Sequence, residues 1–138
     1  MKLWFNLLCR DMEAQLHFYQ ALLHVPEAPS TRSPIYRAVE TENFQLGFNA
    51  HDAYALLGLA DREPSTTAPP PRPVTGYATF MLDTPGAVEA ASAQVEALGG
   101  KLIKPPYATY YGQWQAVLAD PEDNVFRLSA VGVPRSTA

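Results

Sequence analysis

Leu3-Trp4-Phe5-Asn6-Leu7-Leu8-Cys9 alternates with a period of two, and Tyr77-Ala78-Thr79-Phe80-Met81-Leu82 does the same. Each reads as a strand with two distinct faces. Leu3, Phe5, Leu7 and Cys9 lie on one face of the first, with Trp4, Asn6 and Leu8 on the other. In the second, Ala78, Phe80 and Leu82 oppose Tyr77, Thr79 and Met81. Each strand runs into a helical pattern. Asp11 is placed to cap the first helix, with apolar positions Met12, Leu16, Tyr19, Leu22 and Leu23. Thr84 and Pro85 open the second, whose stripe is Val88, Ala91, Val95 and Leu98 and whose end is Gly99-Gly100. Aligning Trp4 with Tyr77 also aligns Ala14 with Ala87, so the two patterns form an internal repeat.

The repeat extends past the helices. Residues 35–40 turn through Thr41-Glu42-Asn43 into Phe44-Gln45-Leu46-Gly47-Phe48, and residues 113–118 turn through Asp120-Pro121-Glu122-Asp123-Asn124 into Val125-Phe126-Arg127-Leu128. Lys101 to Lys104 adds a short strand in the second half; its counterpart from Val25 to Ser33 is proline-rich, which weakens a strand there. Residues 51–59 form a short helix or strand. The predicted fold class is α+β: two tandem βαβββ modules whose mixed sheets curl around a shared concave trough. Residues 1–138 make one domain, with module one at about 2–60, a linker at 61–73, module two at about 74–131 and a tail at 132–138. Five of the thirteen prolines fall in the linker, which reads as extended chain.

Composition narrows the function classes. Of 138 residues 47% are hydrophobic and 17% charged, enough for a buried core and too apolar for a disordered chain. The net charge is −4 and no Lys/Arg-rich run occurs, so nucleic acid is not an expected partner. No apolar run approaches the roughly 20 residues of a membrane span, and the first residues lack a signal peptide's apolar stretch. A cytoplasmic location is expected. The single cysteine, Cys9, excludes an intramolecular disulfide and a multi-cysteine zinc site, and alternation places it on the helix-facing side as a buried thiol.

Three pieces in this order resemble the vicinal oxygen chelate superfamily, which includes glyoxalase I, extradiol dioxygenases and bleomycin resistance proteins. They are Asp11-Met12-Glu13-Ala14 leading to Phe18-Tyr19 and Leu22-Leu23, then Ala97-Leu98-Gly99-Gly100 followed by Lys104-Pro105-Pro106, then Asp120-Pro121-Glu122-Asp123-Asn124-Val125-Phe126. The likeness covers about residues 2–130. Asp123 replaces the usual turn glycine and tolerates left-handed backbone better than most residues. The resemblance implies a divalent metal in the trough, held by histidines and glutamates from the first and last strands of each module. Carried over, the histidines fall on Trp4 and Tyr77 and the carboxylates on Gln45 and Arg127. None of these is a usual ligand, and a guanidinium repels a cation. A shift of one residue gives Phe5, Leu46, Ala78 and Leu128, which cannot ligate either. His17 and His24 share a face of the first helix outside the trough, and His51 follows a strand.

The trough therefore presents aromatic and neutral polar groups with one cation. The candidate ligand-binding residues are Trp4, Asn6, Gln45, Tyr77, Thr79, Tyr110, Trp114 and Arg127. Tyr107-Ala108-Thr109-Tyr110-Tyr111-Gly112-Gln113-Trp114 falls, by the resemblance, on a loop over the trough's mouth. Aromatic faces stack on planar molecules, Arg127 matches a carboxylate or phosphate, and Asn6 and Gln45 orient a ligand. The reading is metal-independent binding or sequestration of a small planar organic molecule, an anionic one where Arg127 takes part, in the manner of the bleomycin resistance branch. It names no catalytic residue, metal or cofactor. Its partners are a small organic ligand and, by the resemblance, a second copy in a homodimer. Two alternatives stand beside it: a metal-dependent lyase, isomerase or dioxygenase of the glyoxalase type, and an accessory domain whose trough is filled by its own aromatics.

Overall fold

The computed structural model describes residues 1–64 and 73–134. The chain divides into two compact units, Met1–Pro70 and Pro71–Ala138. Most of the expected linker, residues 65–72, and most of the tail lie outside the described residues; Ala60–Arg62 form a single 3-10 turn.

Unit 1 runs β1 (Leu3–Cys9), α1 (Met12–Leu23), β2 (Tyr36–Glu40), β3 (Phe44–Ala50) and α2 (Asp52–Leu56). The sheet order is β1-β3-β2, with β1 parallel to β3 and β2 antiparallel to it. Asp11 caps α1, accepting the Ala14 amide at 3.0 Å, and so satisfies one of the amides that open a helix unpaired. The packed face of α1 carries Leu16, Phe18, Tyr19 and Leu22. Tyr19 stacks on Phe48 of β3 with ring centroids 5.5 Å apart, and full burial of such a side chain stabilises by about 1.5–3 kcal/mol. Cys9 is buried on this side of the sheet, as alternation requires.

The unit departs from the expected pattern in one place. Val25 to Ser33 forms no strand, only bridges from Glu27 to Val39 and from Ser33 to Tyr36. The Ala28 amide still donates to Ala38 and the Glu40 amide to Pro26, at 2.9 and 3.1 Å. Pro26, Pro29 and Pro34 have no amide to continue the ladder, so pairing stops at isolated contacts.

Unit 2 contains the full βαβββ pattern: β4 (Ala78–Met81), α3 (Pro85–Gln94), β5 (Lys101–Ala108), β6 (Gln113–Ala119) and β7 (Val125–Val131), in sheet order β4-β7-β6-β5. Here β4 is parallel to β7, as β1 is to β3. Thr84 caps α3 through the Ala87 amide at 3.1 Å, at the position that repeats Asp11. Val88 and Val95 are fully buried beside Phe126, Leu118 and Leu128 in the unit's core. Asp123 adopts φ 68°, the left-handed geometry its turn demands. The strand expected at Lys101 to Lys104 runs on through Pro105 and Pro106 to Ala108. As the sheet's edge strand, with register shifts on either side of Lys104, β5 accommodates residues that cannot donate.

Candidate functional site

Register fixes which residues leave each sheet on the side away from its helix. In unit 1 Trp4 pairs with Gln45 and Asn6 with Gly47, while Glu40 pairs with Gln45 and Ala38 with Gly47. These residues share the open face, and Phe48 and Leu46 share the helix face. The open face carries a directed chain of hydrogen bonds. Lys2 Nζ donates to Glu40 Oε2 at 2.9 Å, and Gln45 Nε2 donates to the same oxygen at 2.7 Å. That orients the Gln45 amide so that its Oε1 accepts the Tyr36 hydroxyl at 2.7 Å.

The Tyr36 oxygen also lies 3.3 Å from Asn6 Oδ1. One O–H cannot donate to both acceptors, so the shorter contact takes the proton; with its amide turned over, Asn6 would donate to the phenol oxygen instead. Tyr36 reaches this position by lying across Gly47. A Cβ there would overlap Asn6 Oδ1 and the Tyr36 hydroxyl. Gln45 is only 2% exposed; both ends of its amide are engaged within the unit.

Burial, with a smaller contribution from the Glu40 carboxylate, pushes the Tyr36 phenol above its ordinary value of about 10. Hydrogen bonds from Lys2 and then Gln45 hold Glu40 below the usual carboxylate value. The raised phenol leads to an expected result. In an ultraviolet absorbance titration the Tyr36 phenol, identified by comparison with Tyr36→Phe, ionises above the normal range. Because the folded-state value exceeds the unfolded one, the network's stabilisation is intact below about pH 10 and is lost as pH rises through the folded value. Since burial is the larger cause, Glu40→Gln leaves most of the shift in place. A full return to the ordinary range in that variant would show that charge, not burial, dominates.

In unit 2 the open face follows from Thr79 paired with Arg127 and from Gln115 and Val117 paired with Ser129 and Arg127. Arg127 donates from Nε to Thr79 Oγ1 at 2.9 Å, and its guanidinium lies 4.8 Å from the centre of the Tyr77 ring. No ion pair joins it to a carboxylate among the described residues. Gln115, 2% exposed, accepts from the Tyr111 hydroxyl at 2.9 Å and donates to the Tyr107 hydroxyl at 2.8 Å.

The structure places the sequence candidates unequally. Tyr77, Thr79 and Arg127 come together on unit 2. Trp4 and Asn6 lie on the open face of unit 1, Trp4 with 58% of its surface exposed. Gln45 is on that face too, but enclosed by Tyr36 and Glu40. Tyr110 is 99% exposed in the turn between β5 and β6, edge-on to Tyr111 at 4.9 Å.

Trp114 is a correction. It is not on a loop: β6 begins at Gln113, and Trp114 leaves the sheet on the helix side, where its indole N–H donates to Glu89 of α3 at 2.9 Å. It is therefore set apart from the open face. Reasoning from sequence missed three residues. Tyr36 and Tyr107 hold the buried glutamines, and Lys104 stands with its ammonium 3.8 Å from the centre of the Tyr107 ring. A glycine inside a strand, Gly47, was the available signal for a close approach such as that of Tyr36.

The positions at which the resemblance implies metal ligands hold Trp4, Gln45, Tyr77 and Arg127. Two aromatic rings, a committed amide and a guanidinium do not supply the imidazole and carboxylate donors a divalent ion requires. Among the described residues no three His, Cys, Asp or Glu side chains are grouped to hold one. The residues present do not fit that metal. Nor, among those residues, is any helix long and apolar enough to cross a membrane.

Comparison with known proteins gives the lineage. A family model described as a glyoxalase-like domain matches residues 3–129. A glyoxalase/bleomycin resistance protein/dioxygenase family enzyme from Burkholderia phytofirmans PsJN is 41% identical over 93% of this chain and 96% of its own, with a TM-score of 0.84. A glyoxalase-related enzyme from Fulvimarina pelagi is 19% identical over 94% and 87% of the two chains, with a TM-score of 0.75. A hypothetical protein from S. aureus is 19% identical over 92% and 91%, with a TM-score of 0.73. The last two share the fold alone. No curated protein matches the chain. Repeat, strand order and family model agree: the chain belongs to the glyoxalase-like family of the vicinal oxygen chelate superfamily.

Proposed function

We propose that this protein binds a small, planar, anionic organic molecule without a metal and acts by sequestering it, as the bleomycin resistance branch of the superfamily does. One observation carries the reading. Arg127 stands on the open face of unit 2 beside the Tyr77 ring, held by Thr79, with no carboxylate partner among the described residues. A fixed guanidinium next to an aromatic face matches a ligand that combines a flat ring with a carboxylate or phosphate. Tyr77, Thr79 and Arg127 form the proposed contact set. Tyr110 offers a further exposed ring in the same unit.

A thermal-shift experiment on chelator-treated protein tests this, using aromatic monocarboxylates and divalent metals as separate additions. The expected result is a rise in melting temperature that grows with the carboxylate and is indifferent to metal. Stabilisation by metal alone would sink the proposal and favour a metal-dependent enzyme of the glyoxalase type.

A second reading has an observation of its own, because in unit 1 the part of the open face at Gly47 and Gln45 is already covered by Tyr36. If unit 2 is filled in the same way, the domain serves another protein and no small molecule shifts the melting curve.

A further inference from the structure

Charge is segregated within unit 2. Its four strands contain no Asp or Glu, and all three of their basic residues, Lys101, Lys104 and Arg127, lie on the open face. The unit's acidic groups are elsewhere, among them Glu89 on α3 and Asp120, Glu122 and Asp123 in the turn between β6 and β7.

Lys104 and Arg127 are both register partners of Val117, one on each side of it. Their backbones are therefore two strand spacings apart, about 10 Å. Each cation stands over a tyrosine ring, Lys104 at 3.8 Å from the centre of Tyr107 and Arg127 at 4.8 Å from that of Tyr77. Neither meets a carboxylate among the described residues. Between them Val117 presents an apolar floor. Like charges gathered on one face without counter-charge raise the local potential and attract anions.

We propose that this face binds a doubly anionic flat molecule, with one anionic group at Arg127, the other at Lys104 and the ring between them over Val117. The proposal rests on the reading of Arg127 given above and adds a second charge and a length to it. Lys101 is not part of the clamp. It pairs with Ala119, next to the acidic turn that begins at Asp120, and so provides a control on the same face.

Calorimetric titration at about 0.15 M salt, where the Debye length of about 8 Å is shorter than the spacing of the two cations, tests the clamp with two probes: naphthalene-2-carboxylate, with one anionic group, and naphthalene-2,6-dicarboxylate, with two. The dicarboxylate is expected to bind about fivefold tighter, the effect of one largely exposed ion pair. Lys104→Met removes that preference and leaves the monocarboxylate unchanged. Arg127→Met weakens both probes, and Lys101→Met weakens neither. Lys104→Gln, with an unchanged melting curve, guards against a packing effect of the methionine.

Equal affinity for the two probes, with the monocarboxylate still dependent on Arg127, overturns the clamp and leaves the single-anion reading standing. Equal weakening by Lys101→Met and Lys104→Met also overturns it, since a diffuse field would then explain the binding. If neither probe binds, both readings fall.

Discussion

Arg127→Glu lowers the affinity for an anionic aromatic molecule by more than about tenfold and leaves the fold intact. Pairing a guanidinium with a carboxylate contributes about 1.5–3 kcal/mol where it is partly shielded from water. Reversal of the charge adds repulsion to that loss. The fold is spared because Arg127 leaves the sheet opposite the helix, while the core residues flanking it, Phe126 and Leu128, keep their places on the other face. The Nε bond to Thr79 is lost, at a cost of about 1 kcal/mol for a single hydrogen bond.

Two further substitutions separate the contributions. Arg127→Gln removes the charge without reversing it and has an intermediate effect. Arg127→Lys restores the charge but neither the planar fork nor the broad contact with Tyr77, so it recovers only part of the affinity. Titration of each variant with an aromatic monocarboxylate, beside a melting curve, checks the series. Affinity unchanged in Arg127→Glu would remove this residue from the site.

The order of effects in that series depends on the open face, and that face was legible from alternation alone. The period of two put Trp4, Asn6 and Gln45 on one side of unit 1, and Thr79 and Arg127 on the corresponding side of unit 2, where the register places them. The caps at Asp11 and Thr84 were equally legible, because a side chain that accepts its own helix's amide acts locally. What alternation could not reveal was how far each strand extends. Pro105-Pro106 reads as the end of a strand, yet an edge strand with register shifts carries both prolines, and that extension places Tyr107 opposite Gln115. The resemblance puts the whole aromatic run at 107–114 on one loop, although the strand read over 113–118 already includes Trp114. Only the turn at Thr109–Gly112 is one, and with β6 starting at Gln113, Trp114 falls on the helix side. The enclosure of Gln45 depends on Tyr36, nine residues away in sequence and brought over Gly47 by strand pairing. Contacts made through pairing are set by register, which composition and spacing do not specify.

Gly47 gives a prediction whose sign runs against strand propensity. Replacing a glycine inside a strand by alanine or valine ordinarily stabilises, since glycine loses the most freedom on folding and packs no side chain. Gly47 is not among the residues with positive φ, so backbone conformation does not demand a glycine here. The space does, because the Tyr36 ring lies directly over it. A β-carbon must push Tyr36 off the sheet, which breaks its bond to Gln45 and strands the oxygen of an amide that is 2% exposed. Overpacking costs about 1–3 kcal/mol and a buried acceptor without a donor a similar amount. Gly47→Val is therefore expected to lose about 2–4 kcal/mol in denaturant unfolding, and Gly47→Ala somewhat less. The tyrosine titration supplies an independent readout: displaced into water, Tyr36 returns toward its ordinary ionisation range. In the double variant Gly47→Ala with Tyr36→Ala only the overlap with Asn6 Oδ1 remains, at the far end of a side chain that can swing aside, so the two losses combine to less than their sum. Additive losses, or a Gly47→Val protein as stable as its parent, would mean that Tyr36 does not hold this face closed. Unit 1 would then be as open to a ligand as unit 2.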